Sequence, residues 1–304
     1  VKLVYLGTPE FAVPPLEALV AAGHQVLAVY TQPDRPKGRG QRTAMPPVKE
    51  AAQRLGLPVR QPEKIRAPET VAELAALAPE AMVVVGYGQI IPQAILDIPP
   101  LGIFNVHASL LPKYRGAAPV PWAIARGETR TGVTIMKIDT GLDTGDVLAE
   151  WATQIQPEET APELSARLAR AGAQLLVDTL AHLHELKPRP QDHAQATWAP
   201  MLRKEDGRID WSRPAQEIAN RIRAFTPWPG CYTFLRGQRL HIWRARAQEA
   251  ARTPGELWRE DRRLFAGCGR GSLELLEVQL EGRKRMDVAT FLNGLHLNSA
   301  ERLE

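Results

Sequence analysis

The first half of the chain alternates between short apolar runs and helical stretches, and this most constrains its fold. The apolar runs are Lys2–Gly7, Gln25–Thr31, Met82–Gly86, Gly102–His107 and Gly132–Ile138. Between them, Pro14–Ala22, Pro47–Leu55, Pro68–Leu77 and Val120–Arg126 read as helices. Repeated strand–helix units predict an α/β, Rossmann-like fold around a parallel sheet. Open sheets of that kind bind ligands beyond the carboxyl ends of their strands, which is where chemistry is expected.

The fourth run carries that chemistry. Leu101, Ile103, Phe104 and Val106 read as a buried strand that ends in Asn105-Val106-His107. Residues two apart on a strand share a face, so Asn105 and His107 point the same way. Ser109-Leu110-Leu111-Pro112 then turns the chain, because proline cannot continue a ladder. Lys113, Tyr114, Arg115 and Gly116 follow and read as an exposed basic loop. Asp143 lies in Asp139-Thr140-Gly141-Leu142-Asp143-Thr144-Gly145-Asp146. A lone histidine after a strand is more often structural than catalytic. Here an amide that can donate to an oxyanion and a carboxylate that can orient an imidazole stand beside it in the pattern, which is what acyl transfer needs. The acids of the 139–146 loop do not follow the twelve-residue calcium pattern, and no metal is expected.

Other segments exclude some functions and suggest others. Gly7-Thr8-Pro9-Glu10-Phe11 stands where a dinucleotide fold carries Gly-x-Gly-x-x-Gly, and Pro9 removes a backbone donor that a phosphate would need. A nicotinamide enzyme is disfavoured, and the segment reads as a plain strand-to-helix turn. Val84-Val85-Gly86-Tyr87-Gly88-Gln89-Ile90 ends a strand in two glycines that permit close backbone approach to a flat ligand. Gln32–Pro47 reads as a long loop without structure of its own, in which Arg35, Lys37, Arg39 and Arg42 face a single acid, Asp34. A mobile basic loop of this kind can order on phosphates. Cys231 and Cys268 are too few for a disulfide framework. With no run of 18 apolar residues and no signal-like start, a cytoplasmic protein with no membrane role is expected.

These motifs together resemble the folate-dependent formyltransferases. The likeness rests on Asn105-x-His107, the Ser109–Pro112 turn, Arg115-Gly116-Ala117-Ala118-Pro119 and the Asp139–Asp146 loop. It extends to Gly7–Phe11, Thr31–Pro36 with Gly38-Arg39-Gly40, Pro46–Lys49 and Pro227-Trp228-Pro229-Gly230. The basic loop and the long C-terminal part point to members that act on a tRNA. The resemblance implies formyl transfer from 10-formyltetrahydrofolate to the α-amine of methionyl initiator tRNA. Catalytic roles then fall on Asn105, His107 and Asp143. Donor contacts fall on Ser109, Leu110, Leu111, Pro112, Val85, Tyr87, Gly88 and Asp139, and tRNA contacts on Arg35, Lys37, Arg39 and Arg42. Core packing is the alternative for Leu110 and Leu111, and an equally good account of Tyr87 and Phe11. A formyltransferase for glycinamide ribonucleotide or an amino-sugar nucleotide, a formylfolate hydrolase, and a non-catalytic RNA-binding protein are the alternatives.

The expected organisation is a formyl-folate-binding catalytic domain at 1–190, a linker at 191–205 and a basic tRNA-binding domain at 206–304. One long helix, Thr160–Leu186, closes the first. The excess positive charge sits entirely in the last part: residues 206–304 hold 17 Lys/Arg against 13 Asp/Glu, whereas residues 1–205 hold 21 of each. That asymmetry suits either an RNA partner or an arginine-rich solvated surface. In this part Pro214–Ala224 reads as a helix. Tyr232–Leu235 and Arg239–Ala245 read as a hairpin across Arg236-Gly237-Gln238, and three later alternating stretches as further strands. Spacing gives a small β domain; the resemblance implies an OB-like barrel. Arg223, Phe225 and Trp228 are expected to fix the domain junction.

Overall fold

A computed structural model describes residues 1–37, 42–295 and 301–304. The chain divides into two compact units. The first comprises residues 1–119, 130–153 and 165–200; the second comprises 120–129, 154–164 and 201–304.

The first unit is built on β1 (Lys2–Gly7), β2 (Gln25–Tyr30), β3 (Arg35–Lys37), β4 (Arg42–Ala44), β5 (Val59–Arg60), β6 (Ala81–Val85), β7 (Ile103–His107), β8 (Arg130–Lys137) and β9 (Val147–Gln154). Seven of these form one sheet in the order β5-β2-β1-β6-β7-β8-β9. The ladders from β5 to β7 are parallel, and β8 runs antiparallel to β7. The central strands β1 and β6 are buried almost throughout, as expected of parallel strands covered on both faces. Val4, Leu6, Met82 and Val84 pack with Tyr30, Leu74, Ile91 and Ile95 in one cluster of the core. Its helices are α1 (Val13–Ala21), α2 (Pro47–Arg54), α3 (Pro68–Ala76) and α4 (Gln93–Leu96); α5 (Pro119–Ala125) falls in the second unit from Val120 on, and α6 (Ala161–Ala181) begins in the second unit and continues in the first. Helix α6 is shorter than its sequence suggests and starts at a cap. Glu163 accepts from the Thr160 backbone N–H at 2.9 Å and from its hydroxyl at 2.7 Å, and these bonds lower the Glu163 pKa.

Three features of this unit differ from the sequence reading. Strand β9 was not expected; it is the half-exposed edge of the sheet and so carries no continuous apolar run. The basic 32–47 segment is not structureless, because β3 and β4 pair as a small antiparallel hairpin with Arg35 opposite Ala44 and Lys37 opposite Arg42. Residues 191–200, read as part of a linker, belong to the first unit, where the backbone of 197–199 bonds to that of Pro112 and Arg115.

In the second unit, α7 (Ala215–Ala224) lies on an antiparallel sheet made of β10 (Cys231–Leu235), β11 (Gln238–Gln248), β12 (Leu257–Glu260), β13 (Arg263–Gly267), β14 (Ser272–Leu280) and β15 (Met286–Asp287), followed by α8 (Val288–Leu292). The strand order is β10-β11-β14-β13-β12, with β15 on β14. Arg236 and Gly237 form the β10–β11 turn with φ of 52° and 73°, the left-handed pair that a tight hairpin turn requires. Residues 301–304 join the two ends of the sheet. Leu303 bridges Leu235 of β10, and Arg302 bridges Glu256 beside β12, so the terminal segment covers both edges in the manner of a closed barrel. Arg223 donates to the carbonyls of Gln156 and Glu159, and Phe225 packs edge-on against Trp122, all within this unit. Trp228 is half exposed.

Candidate active site

The site forms at the carboxyl end of β7. Within this buried strand Asn105 is the one partly exposed position, while His107 is buried. The two lie on one face, with Asn105 opposite Val84 of β6 and Met136 of β8, and His107 opposite Thr134.

Asp143 arrives from the loop between β8 and β9. Its Oδ2 accepts the Gly116 backbone N–H at 2.8 Å and lies 3.6 Å from His107 Nδ1; its Oδ1 accepts a long, 3.4 Å bond from Asn105 Nδ2. The three residues picked from the sequence therefore meet around one carboxylate. Asp143 has a φ of 53°, a left-handed conformation unusual for a residue with a Cβ, and such strain persists only where the surroundings fix it. Tyr114 also has a positive φ, 60°, and its carbonyl sits 2.8 Å from His107 Nε2. A carbonyl only accepts, so Nε2 carries the hydrogen and Nδ1 is the ring atom that faces Asp143. Among the described residues, Asn105 makes one side-chain hydrogen bond, which leaves its second N–H for a ligand.

The flanking turn serves the scaffold. Ser109 is fully buried; its hydroxyl donates to the Lys113 carbonyl at 2.6 Å, and its own carbonyl accepts from Thr134 Oγ1 at 2.7 Å. Leu111 packs with Met136 and Val147, and Leu110 lies against Gly132, where an added Cβ would come within 2.6 Å of its Cδ2. The Leu111–Pro112 peptide is cis. Tyr114 and Arg115 are buried rather than exposed, because the distant 196–199 segment covers them.

The expected donor wall is only partly open. Val85 and Tyr87 bury their side chains, and burial pushes the Tyr87 phenol up to about 12. The Tyr87 carbonyl is taken by Thr8 Oγ1 and Gln32 Nε2, both at 3.1 Å. Exposure on this segment falls instead to Gly86, Gly88 and Ile90. Gly88, with φ 89°, has nothing nearer than Gln32 at 3.9 Å from where a Cβ would stand, so a ligand can approach its backbone. On the other loop Leu142 is exposed, while Asp139 turns one oxygen onto Gly141 N and Thr144 Oγ1 of its own turn.

Beside this edge a cleft of about 420 Å³ is lined by Thr8, Gln32, Pro33, Arg35, Ala44, Met45, Pro46 and Gly88. The Gly7–Phe11 turn is thus more than a connection, since Thr8 forms part of the wall. Arg35 is exposed at the cleft, and Lys37 and Arg42 pair in the hairpin; Arg39 lies outside the described residues. Asp34 is engaged by Lys49 at 2.6 Å and Gln61 at 2.7 Å, whose bonds hold its carboxyl below the usual range. The sequence reading missed Gln191, whose amide joins Arg115 to the Asp143 loop. Its neighbours Pro188 and Pro190 make it read as linker, and no local signal marks it.

An amide, an imidazole and a carboxylate at a strand end of an open α/β sheet suit acyl-group transfer, and comparison with known proteins defines the class. The Formyl transferase family matches residues 1–180, and the family described as Formyl transferase, C-terminal domain, matches residues 201–296. The methionyl-tRNA formyltransferase of Solibacter usitatus is 60% identical over 99% of this chain and 98% of its own length, and that of Koribacter versatilis is 59% identical over the same shares. The chain belongs to the methionyl-tRNA formyltransferase family. Its fold is shared with the N-formyltransferase of Helicobacter canadensis, solved with folinic acid and dTDP-3-aminofucose (TM-score 0.68, 18% identity, 94% of this chain and 100% of that one). It is shared also with HypX of Aquifex aeolicus in complex with tetrahydrofolic acid (TM-score 0.63, 17% identity, 98% of this chain and 50% of that one).

Proposed function

We infer that this chain transfers the formyl group of 10-formyltetrahydrofolate to the α-amine of methionyl initiator tRNA, supplying formylmethionyl-tRNA for translation initiation. The observation that carries this reading is the meeting of Asn105, His107 and Asp143 at one strand end in a member of this family. The donor fits the residues present: the exposed backbone at Gly86 and Gly88 and the exposed apolar side chains of Ile90 and Leu142 suit a flat, partly polar ring. When bound, it supplies a formyl carbon open to attack by an amine, and as the new C–N bond forms the carbon's bond to the folate nitrogen breaks, so that the amine gives up a proton, the folate nitrogen gains one and tetrahydrofolate leaves.

The chain's own groups do the rest. The second N–H of Asn105 donates to the carbonyl oxygen as negative charge develops there. His107, held by Tyr114 through Nε2, presents Nδ1 as the atom that takes or returns a proton, and Asp143 fixes the ring and balances charge on it. The buried turn of Ser109–Pro112 holds this geometry and acts on the donor through its backbone. The first unit, residues 191–200 included, carries the catalysis. Arg35, Lys37, Arg39 and Arg42 meet the phosphates of the acceptor end, and the basic region 206–304 adds further contacts to tRNA. Two buried free thiols suit a reducing compartment rather than a disulfide scaffold, and the protein works in the cytoplasm. Among the described residues no helix is long and apolar enough to cross a membrane, and no cluster of metal-ligating side chains occurs.

His107→Ala tests the reading. Formylation is expected to be lost while affinity for methionyl initiator tRNA is kept. Turnover retained in the variant, or an active site indifferent to the donor, contradicts it.

A further inference from the structure

The side chain of Gln191 makes four hydrogen bonds. Its Nε2 donates to the carbonyls of Asp143, at 2.9 Å, and Gly145, at 2.7 Å. Its Oε1 accepts from Arg115 Nε at 3.2 Å and Nη2 at 2.7 Å. Both residues are buried, Gln191 at 7% and Arg115 at 3% exposure, and among the described residues no carboxylate pairs with Arg115. A guanidinium only donates, so Arg115 fixes which end of the amide is oxygen and aims both amide hydrogens at the 143–145 turn. His193 Nδ1, 2.9 Å from Arg115 Nη2, accepts from the same group.

The next residue completes the arrangement. Gly116, with φ 117°, sends its backbone N–H to Asp143 Oδ2, and a Cβ there would stand 2.7 Å from the Ala199 carbonyl. The Arg115 backbone is itself tied to Thr197 and Ala199 at 2.8 and 2.7 Å. Asp143 is therefore gripped twice from one dipeptide: its carboxylate by Gly116, and its carbonyl by Arg115 acting through Gln191. A left-handed conformation is less common than an ordinary one even for aspartate, and here both ends of Asp143 are held in it.

We propose that Gln191 is a positioning residue, set by Arg115, that holds the Asp143 backbone so that its carboxylate faces Asn105 and His107. This rests on the reading of Asp143 as part of the catalytic group. Gln191 touches no substrate; it acts by fixing the atom that orients the histidine. Displacing a reacting group by about 1 Å can cost on the order of 10²-fold in rate.

The informative variant is Gln191→Glu. It preserves an acceptor for Arg115, and with it the buried guanidinium, but turns both donors to the loop into an oxygen facing two carbonyls. A role confined to structure predicts normal kcat. Positioning predicts a kcat lowered by about 10- to 100-fold with both KM values within about threefold of the parent, since uniform binding is untouched. Gln191→Met serves as a second variant that removes all four bonds at similar volume. The cycle with Asp143→Asn isolates the route: if Gln191 acts through Asp143, adding Gln191→Glu to Asp143→Asn lowers kcat no further. A kcat within about threefold of the parent in folded Gln191→Glu, or losses that multiply in the double variant, overturn the proposal. Full activity in Asp143→Asn alone would instead remove the catalytic reading of Asp143, and the positioning role with it.

Discussion

Replacing Asn105 with alanine separates chemistry from stability, because the structure gives this side chain little to do for the fold. It is the partly exposed residue of β7, and its single hydrogen bond, to Asp143 Oδ1, is long at 3.4 Å. A bond of that quality is worth at most about 1 kcal/mol net. In a unit of the size of the one that holds Asn105, that moves the melting temperature by about 2–4 °C. The rate should respond far more. The free N–H of Asn105 is the side-chain donor beside His107 at the strand end, and losing one such donor raises the barrier by about 2.7–4 kcal/mol, or about 10²–10³ in kcat. The assay is steady-state formylation of methionyl initiator tRNA, with thermal unfolding on the same preparation. A folded variant that loses less than about tenfold in kcat would refute the assignment of Asn105 to the developing oxyanion.

Other regions give separate expectations. Arg39→Ala with Arg42→Ala should raise KM for tRNA more than KM for the folate donor, and should reduce the slope of log binding constant against log salt by about 0.7–0.9 for each phosphate that the loop no longer neutralises; equal effects on both KM values would remove the loop from the tRNA interface. Burial pushes both Cys231 and Cys268 up to about 12, so neither thiol should react with a disulfide reagent at pH 8 in the native protein, whereas both should react after unfolding. Prompt labelling of native protein would contradict their packing. Arg263 at 2.7 Å, helped by Gln248, holds the Glu274 carboxyl below its ordinary value of 4.5. A folded-state value below the unfolded one adds stability above about pH 4.5 that is lost as pH falls through the lowered value. Glu274→Gln should therefore be less stable at neutral pH and lose less on acidification; a parallel acid profile would show that this pair contributes nothing.

The strands that could be read from the sequence were those buried on both faces. β1, β6 and β7 appear as apolar runs because neither face meets water, whereas β9 mixes Glu150, Thr153 and Gln154 into its half-exposed edge and leaves no such signature. The β3–β4 hairpin is short, contains Pro36 and belongs to no larger sheet, so its composition resembles a loop. At the site, Asn105 and His107 were legible because strand periodicity alone puts them on one face, and Asp143 because the Asp139–Asp146 loop is part of the resemblance. Arg115 and Gln191 were not, since they lie 76 residues apart and their meaning depends on a fold that brings 189–199 back over the end of β7. Ser109 has a bond that sequence did not reveal. A serine in a turn beside such a histidine invites a ligand role, and its hydroxyl hydrogen is in fact engaged by the Lys113 carbonyl four residues on.

The most direct test of the central claim is a panel of acceptors offered with 10-formyltetrahydrofolate: methionyl initiator tRNA, methionyl elongator tRNA, free methionine, glycinamide ribonucleotide, an amino-sugar nucleotide and no acceptor. Formylation confined to methionyl initiator tRNA is the predicted result. Efficient formylation of a small amine, or release of formate without any acceptor, would contradict it: the chemistry of Asn105, His107 and Asp143 would stand, but the basic loop and the basic C-terminal unit would lose their assigned partner.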